Sequence, residues 1–198
     1  MPQPKHVMAL KTPSEAELDA TLDEGMKKYL KVCREKLGIV PNVLLSYASR
    51  PEKLKTFVSY YNELMLGESG LSKLEREMIA VVVSSTNHCF YCVVAHGQAV
   101  RELSGDPELG EMLAINYRVA ELGPRYRTML DFAYKMTATP SLVEDADRQS
   151  LRDVGFSDDE IFDIADTAGF FNMSNRVATA VDMMPNPEYH GRNRWDRE

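Results

Sequence analysis

Apolar residues recur at helical spacing along almost the whole of this 198-residue chain, and this pattern is the strongest constraint on its fold. One such stripe consists of Leu18, Leu22, Met26, Leu30, Cys33 and Leu37. Steps of three and four residues place apolar side chains on a single face of a helix. No segment alternates between apolar and polar residues as a half-buried strand does. The sequence therefore predicts an all-α fold in which Cys33 is a core residue.

Start and stop signals divide the chain into a series of predicted helices. Ser14 and Ser72 each stand three residues before a glutamate, which is the pattern of a capping box at a helix start. Glycines and prolines mark the ends of most apolar stretches. The predicted helices cover residues 14–37, 41–48, 51–66, 107–115, 116–122, 124–137, 141–155, 157–171 and 172–184, and two more begin at Ser72 and near Cys89. The apolar run 78–83 marks the helix from Ser72 as the centre of the fold.

Composition and charge limit the classes of protein to which the chain can belong. A hydrophobic content of 44% suffices for one sizeable core, so we expect a single domain with a helical extension (1–40), a core (41–184) and a C-terminal tail (185–198). The net charge of −7, without a basic patch, argues against a nucleic-acid partner. No apolar stretch approaches the roughly 18 residues that span a bilayer, and the first residues lack the apolar region of a signal peptide. We expect a cytoplasmic protein with no membrane partner.

The densest chemical signal is the segment Cys89-Phe90-Tyr91-Cys92-Val93-Val94-Ala95-His96. On a helix that begins near Cys89, the side chains of Cys89, Cys92 and His96 share one face. Free N–H groups and the helix dipole in the first turn favour thiolate over thiol. Because the chain has three cysteines, one of them left over, we expect a reducing compartment in which the pair cycles between dithiol and disulfide.

A zinc site is an alternative interpretation of the same segment. With His88, the segment contains four residues that can bind zinc through nitrogen or sulfur: His88, Cys89, Cys92 and His96. The adjacent side chains of His88 and Cys89 would diverge on a helix, however, and no second Cys or His pair follows to complete a tetrahedron. A thioredoxin-like site would need neighbouring strands, which the pattern lacks. We therefore expect no metal.

Glu77 lies on the apolar side of the helix that begins at Ser72. Its neighbours on that side are Leu74, Met78 and Val81. A desolvated charge without a partner is costly, so Glu77 should be hydrogen-bonded. Two interpretations stay open: the carboxylate caps the first turn or pairs with Lys73, or it faces His96.

When the sequence is shifted by 85 residues, part of it aligns with itself; we call this weak internal repeat the echo. It aligns Ser72 with Ser157, Glu75 with Glu160, Ile79 with Ile164 and Asn87 with Asn172, and it aligns the two cysteines with Ser174 and Val177. The echo predicts two related helical hairpins, of which only the first retains the thiols. Asn172 and Asn175 would then lie at the corner of the second hairpin, where amide side chains bond free backbone groups.

The spacing of Glu77, Cys89, Cys92 and His96 resembles the signature of the alkylhydroperoxidase AhpD-like branch of the carboxymuconolactone decarboxylase superfamily. Residues 71–77 and 87–92 are similar to its peroxidase-related members, and residues 155–161 and 170–176 are so more weakly. The resemblance covers roughly residues 40 to 184. It implies an AhpD-like multi-helix orthogonal bundle with an internal helical-hairpin repeat, whose subunits associate as a dimer or a hexamer. It also implies peroxide reduction by the cysteine pair without metal or flavin.

One position departs from the family pattern. The residue before the second cysteine is histidine in the characterised alkylhydroperoxidases, where it belongs to the proposed proton relay, and here it is Tyr91. A phenol with a pKa near 10 shuttles protons less readily at neutral pH. The predicted site residues are therefore Cys92, Cys89, His96 and Glu77, with Tyr91 at the relay position.

These residues predict a thiol-dependent peroxidase that acts on a small-molecule hydroperoxide. His96, oriented by Glu77, would take the proton of Cys92, whose thiolate attacks the peroxide; Cys89 then resolves the sulfenic acid. An external dithiol must reduce the resulting disulfide, and in the resembling family this can be a lipoyl-bearing protein. Two alternatives stay open: a thiol–disulfide oxidoreductase or redox sensor acting on protein partners, and a zinc-stabilised interaction module.

Overall fold

The computed structural model of this protein describes residues 5–194 and contains no β-strand in that range. The described residues form ten α-helices: α1 (Glu15–Thr21), α2 (Glu24–Leu37), α3 (Asn42–Tyr47), α4 (Pro51–Leu66), α5 (Lys73–Thr86), α6 (Phe90–Ser104), α7 (Pro107–Asn116), α8 (Pro124–Ala138), α9 (Asp145–Asp153) and α10 (Asp158–Ala180). The all-α prediction is confirmed. None of these helices is long and apolar enough to cross a membrane.

Capping boxes fix the starts of three helices. They lie at Ser14, Ser72 and Ser157, which precede α1, α5 and α10. In each box the serine hydroxyl accepts the N–H of the glutamate three residues on, and that glutamate accepts the N–H of the serine. These bonds satisfy first-turn donors that have no partner within the helix. The capping boxes predicted at Ser14 and Ser72 are therefore confirmed.

Two predicted helices in the first two thirds of the chain are wrong. The predicted helix 14–37 is interrupted, because Leu22 is extended and the side chain of Asp23 caps a new helix through the N–H of Met26. The predicted helix 116–122 is only a 3₁₀ turn, Tyr117–Val119. The guanidinium of Arg127 donates to carbonyl oxygens in the segment 117–120 and holds that segment as a loop.

The predicted second hairpin is also wrong, since α10 runs through residue 172 without interruption. The amide of Asn172 donates to the carbonyl of Ala168 one turn earlier, and its oxygen accepts from Asn87 across the helix interface. Asn172 therefore lies in the middle of a helix and ends none. The echo correctly locates a second capped helix at Ser157, but the corner that follows α5 has no counterpart in α10.

Helix α5 lies at the centre of the fold. Its residues 78–83 are at most 1% exposed, as the apolar run predicted. The helix packs against α6, α7, α8 and α10. A second apolar cluster joins α2, α3 and α4, and Cys33 belongs to it as predicted. The position of Glu77 on α5 is therefore fixed by close packing on several sides.

The last described residues cross back over the helices. Arg101 of α6 donates to the carbonyl oxygens of Tyr189 and Arg192. The Arg192 side chain donates to the carbonyl of Leu37 at the end of α2, and the Asn186 amide donates to the carbonyl of Val40. Of the predicted tail 185–198, residues 195–198 lie outside the described residues. The described part, 185–194, joins α6 to the N-terminal helices.

Gly110 and Gly169 allow a test of how closely α6 and α7 approach each other. A methyl group on Gly110 would lie 2.9 Å from the backbone oxygen of Gly97 in α6, whereas one on Gly169 would meet nothing nearer than 3.9 Å. We expect Gly110→Ala to lower the free energy of unfolding by about 1–3 kcal/mol through overpacking. Gly169→Ala should raise it by up to about 1 kcal/mol, since alanine favours the helix. Urea unfolding measures both, and equal effects would contradict the close crossing.

Candidate active site

The corner between α5 and α6 positions the cysteine pair. Asn87 is the C-cap of α5, His88 adopts a left-handed conformation with φ 54°, and Cys89 is the N-cap of α6. The N–H of Cys89 donates to the carbonyl of Ser84 at 2.9 Å, which closes the turn. The predicted start of a helix near Cys89 is confirmed. Both Cys89 and Cys92 therefore lie in the first turn, close to the positive end of the helix dipole.

Cys89 and Cys92 are free, buried thiols that are hydrogen-bonded to each other. The bond donated by the Cys92 thiol lowers the pKa of Cys89 to about 6, although burial opposes the charge. The backbone N–H of Cys92, the hydroxyl of Thr179 and the charge of His96 lower it further. The same thiol–thiol bond, burial and the negative charge of Cys89 raise the pKa of Cys92 well above its usual range. At neutral pH the pair thus holds its charge on Cys89 and its proton on Cys92.

Glu77 and His96 form a buried pair between α5 and α6. The distance between Oε2 of Glu77 and Nδ1 of His96 is 2.6 Å, and only about a tenth of each side chain is exposed. This contact decides between the two interpretations of Glu77, since the capping role belongs to Glu75. The imidazole uses Nδ1 for this bond, and Nε2 has no hydrogen-bond partner among residues 5–194.

Tyr91 connects the site to α3. Its hydroxyl oxygen accepts the N–H of Val43 at 3.1 Å, and the side chain is only 4% exposed. Burial raises the pKa of Tyr91 well above its usual range. The phenol therefore keeps its proton at neutral pH, and the contact of Tyr91 anchors the first turn of α6 against α3.

Helix α10 contributes three polar side chains that the sequence did not predict as part of the site. Ser174 and Asn175 hydrogen-bond to the sulfur of Cys92 and lower its pKa, which partly offsets the effects that raise it. Asn175 also donates to Oγ of Ser84 and accepts from Asn87. Thr179 hydrogen-bonds to Cys89. The sequence pointed to this part of α10 through the alignment of Cys89 with Ser174 in the 85-residue echo and through the weak family resemblance of residues 170–176, but it gave neither Ser174 nor Asn175 a role at the thiols.

A cavity of about 660 Å³ opens onto one member of the cysteine pair. Cys92 and His96 lie on its wall, whereas Cys89 is not among the residues that border it. Much of the wall is aromatic and comes from Phe57, Tyr61, Phe170 and Phe171. The ring of Phe171 meets His96 edge-on with centroids 4.6 Å apart. A small molecule in this cavity therefore meets Cys92 before Cys89.

The four residues of the alternative interpretation, a zinc site, are not all brought together. Within residues 5–194, no group of three or more His, Cys, Asp and Glu side chains is placed to hold a metal ion. His88 is exposed at the corner, and His96 is bound to Glu77. Cys33 lies elsewhere on the cavity wall, where burial raises its pKa.

The hydroxyl of Thr179 provides a test of the charge distribution in the pair. Thr179→Val removes a donor to the Cys89 thiolate, so the pKa of Cys89 should rise above 6. Because a hydrogen bond to a charged group contributes about 1 kcal/mol or more, we expect an increase of about half a pH unit or more. The ultraviolet absorbance of the thiolate, followed against pH, measures this midpoint without requiring access of a reagent. The matched control Thr56→Val, on the exposed face of α4, should leave the midpoint unchanged. Coincident titration curves for the wild type and both variants would contradict the hydrogen bond between Thr179 and Cys89.

Comparisons with known proteins show the family and the fold to which the chain is similar. The model of the carboxymuconolactone decarboxylase family matches residues 51–135. A solved structure of an uncharacterized peroxidase-related protein from Silicibacter sp. TM1040 is 61% identical, with a TM-score of 0.91 over 98% of this chain and 100% of that one. An uncharacterized peroxidase-related protein from Ralstonia eutropha JMP134, described as an alkylhydroperoxidase AhpD core, is 39% identical, with a TM-score of 0.92 over the same shares. The debrominase Bmp8 shares the fold at 16% identity, with a TM-score of 0.75 over 94% and 95% of the two chains. No curated protein matches the sequence significantly.

Proposed function

This chain belongs to the carboxymuconolactone decarboxylase family, on its AhpD-like, peroxidase-related branch, and from that membership we propose that it is a thiol-dependent peroxidase. One observation carries the proposal: Cys92 and His96 border a single cavity, and Cys89, the N-cap of the same helix, lies in the same turn as Cys92 without bordering that cavity. A thiol that meets substrate, an imidazole beside it and a second thiol in contact are the groups that this reaction requires.

The reaction begins with a hydroperoxide in the cavity and with a protonated His96 held by Glu77. The proton of Cys92 passes along the thiol–thiol bond to Cys89, and the Cys92 thiolate attacks the terminal peroxide oxygen. The O–O bond breaks, Cys92 becomes a sulfenic acid, and the alkoxide takes the proton of His96 and leaves as the alcohol. This route differs from the direct deprotonation of Cys92 by His96 that the sequence suggested, because Cys89 already carries the charge.

In the second step, Cys89 converts the sulfenic acid on Cys92 to a disulfide. Neutral His96 takes the proton of Cys89, whose thiolate attacks the sulfur of the Cys92 sulfenic acid. The hydroxide that leaves takes the proton of His96 and becomes water. The balance is one hydroperoxide and two thiols converted to one alcohol, one water and one disulfide.

The proposal also covers the reductant, the compartment and the assembly of the protein. An external dithiol, of lipoyl type in the resembling family, reduces the Cys89–Cys92 disulfide by thiol–disulfide exchange. Such a cycle suits the reducing cytoplasm. A homo-oligomer, dimer or hexamer, remains the expected assembly.

A thiol–disulfide oxidoreductase that acts on folded proteins is a weaker candidate. Cys89 and Cys92 are 1% and 2% exposed, and the cavity borders only Cys92. A disulfide on the surface of a folded protein would have to enter the cavity to react. A small molecule meets no such obstacle, so the geometry favours a peroxide as the oxidant.

Cysteine variants test the assignment of roles. Cys92→Ser should abolish peroxide consumption. Cys89→Ser should allow one turnover and leave a sulfenic acid on Cys92, which a dimedone-type probe and peptide mass spectrometry detect. Cys33→Ser is the control and should form the Cys89–Cys92 disulfide as the wild type does. A sulfenic acid on Cys89 in Cys92→Ser would reverse the two roles, and a wild-type disulfide that includes Cys33 would overturn the scheme.

Glu77→Gln tests the charge behind the imidazole. Glutamine keeps the shape of the side chain but no longer stabilises the protonated His96 that the alkoxide needs. Since general acid–base assistance contributes about 10²–10⁴-fold, we expect kcat to fall about 10²-fold with KM nearly unchanged. The matched control is Glu75→Gln on the same helix, a carboxylate that is also buried but is paired with Arg125. Glu75→Gln should lower the stability of the protein and leave kcat unchanged. If both variants lose kcat equally, Glu77 is a structural residue.

A further inference from the structure

The cavity is elongated along α6. Six of the eight α6 residues on its wall recur at steps of one, three and four along one helical face: Cys92, Ala95, His96, Ala99, Glu102 and Leu103, with Tyr91 and Gln98 beside them. Leu103 lies eleven positions after Cys92, which at a rise of about 1.5 Å per residue corresponds to about 16 Å. Cys92 is buried, whereas Leu103 is 45% exposed. The cavity therefore runs from the reactive thiol to the protein surface.

Its size and lining fit a large apolar molecule. A volume of about 660 Å³ equals the space of on the order of twenty waters in the liquid. Hydrogen peroxide, with two heavy atoms, would leave most of this volume unused. Aromatic rings form a continuous wall, since Phe57 lies 5.5 Å from Phe170 and 6.3 Å from Tyr61 between centroids. Such walls favour an extended alkyl, unsaturated or aromatic body.

Positive charge lies where the cavity reaches the surface, because Lys36 and Lys73 on its wall are exposed. Lys36 at the end of α2, Lys73 at the start of α5 and Arg192 of the C-terminal segment all border the cavity. Within residues 5–194, none of the three has a carboxylate oxygen within 4.0 Å. The one carboxylate at this end belongs to Glu102, which accepts a hydrogen bond from Gln98 at 2.8 Å.

This local excess of cations stands in a chain whose net charge is −7. The backbone carbonyl of Leu37 holds the Arg192 guanidinium at 2.6 Å. Moreover, Lys36 and Arg192 lie outside residues 51–135, the part that the family model matches. Two of the three cations therefore come from segments outside the part that the family model matches.

We propose that the cavity selects amphipathic organic hydroperoxides that carry a carboxylate at the end remote from the peroxide group. The proposal rests on the peroxidase function above. The peroxide group lies at Cys92 and His96, the apolar body follows α6, and the carboxylate meets Lys36, Lys73 and Arg192. Each cation donates charge-assisted hydrogen bonds to such a group. The carboxylate can belong to a fatty acid or to an aromatic acid, because both share this chemistry.

Two matched substrate pairs test the selection. One pair is linoleic acid hydroperoxide and its methyl ester; the other is cumene hydroperoxide and its para-carboxylate. We expect the acid of at least one pair to have a KM about tenfold below that of its uncharged partner, as a few partly exposed ion pairs provide. The pair that shows the larger ratio identifies the source of the carboxylate.

Variants that remove positive charge test whether Lys36, Lys73 and Arg192 cause the preference for acids. The triple variant Lys36→Gln, Lys73→Gln, Arg192→Gln should lose the preference for acids, so that each acid and its uncharged partner have the same KM. A control with the same change in net charge, Lys31→Gln, Lys53→Gln, Arg50→Gln, alters side chains that do not border the cavity and should retain the preference. Equal KM values for acid and uncharged partner in both pairs would overturn the proposal, and so would a preference that persists in the cavity variant.

A binding measurement separates this inference from the proposed activity. Calorimetric titration with dodecanoate and with dodecanol involves no peroxide chemistry. We expect the wild type and the control variant to bind dodecanoate about tenfold more tightly than dodecanol. The cavity variant should bind the two compounds with equal affinity. If the protein reduces no hydroperoxide but shows this pattern, the peroxidase proposal fails and the carboxylate site stands. If dodecanoate shows no advantage over dodecanol in the wild type, the carboxylate site is contradicted whatever the activity.

Discussion

The hydrogen bond between Glu77 and His96 joins the two helices on which the candidate site is built. A carboxylate on the central helix of the core is stable only with a partner, and the imidazole 2.6 Å away supplies one. The pair in turn fixes the ring of His96, whose second nitrogen is left for a molecule in the cavity. The cost of burying Glu77 is thus offset by the same contact that orients the imidazole.

The thiols depend on a second set of contacts, from α10. Ser174 and Asn175 hydrogen-bond to Cys92, Thr179 hydrogen-bonds to Cys89, and Asn175 is tied to the α5–α6 corner through Asn87. An uninterrupted helix provides these donors at fixed spacing. A hairpin in the same place would have turned the amide side chains toward free backbone groups at its corner. The polar side chains of α10 therefore balance the charge that the two buried sulfurs share.

The roles of the two cysteines follow from different physical factors. The N-cap position and its hydrogen bonds favour the charge on Cys89, whereas the cavity gives access to Cys92. In the proposed mechanism, one proton transfer between the two sulfurs moves the charge to Cys92, the sulfur that borders the cavity. The N-terminal helices and the C-terminal segment contribute further residues to the cavity wall, among them Lys36 and Arg192.

The sequence by itself determined the helical class, two of the capping boxes and the face shared by Cys89, Cys92 and His96, because periodicity and capping act within a few turns. It misplaced the break at Leu22 and the corner at Asn172, where an extended residue and an interhelical amide contact prevail over local pattern. It left two partners open for Glu77 and did not indicate Thr179. Only the tertiary structure decided that His96 faces Glu77, that α10 supports the thiols and that Cys92 borders the cavity. These contacts join residues 19 to about 90 positions apart, and their geometry depends on how whole helices pack, which no local pattern encodes.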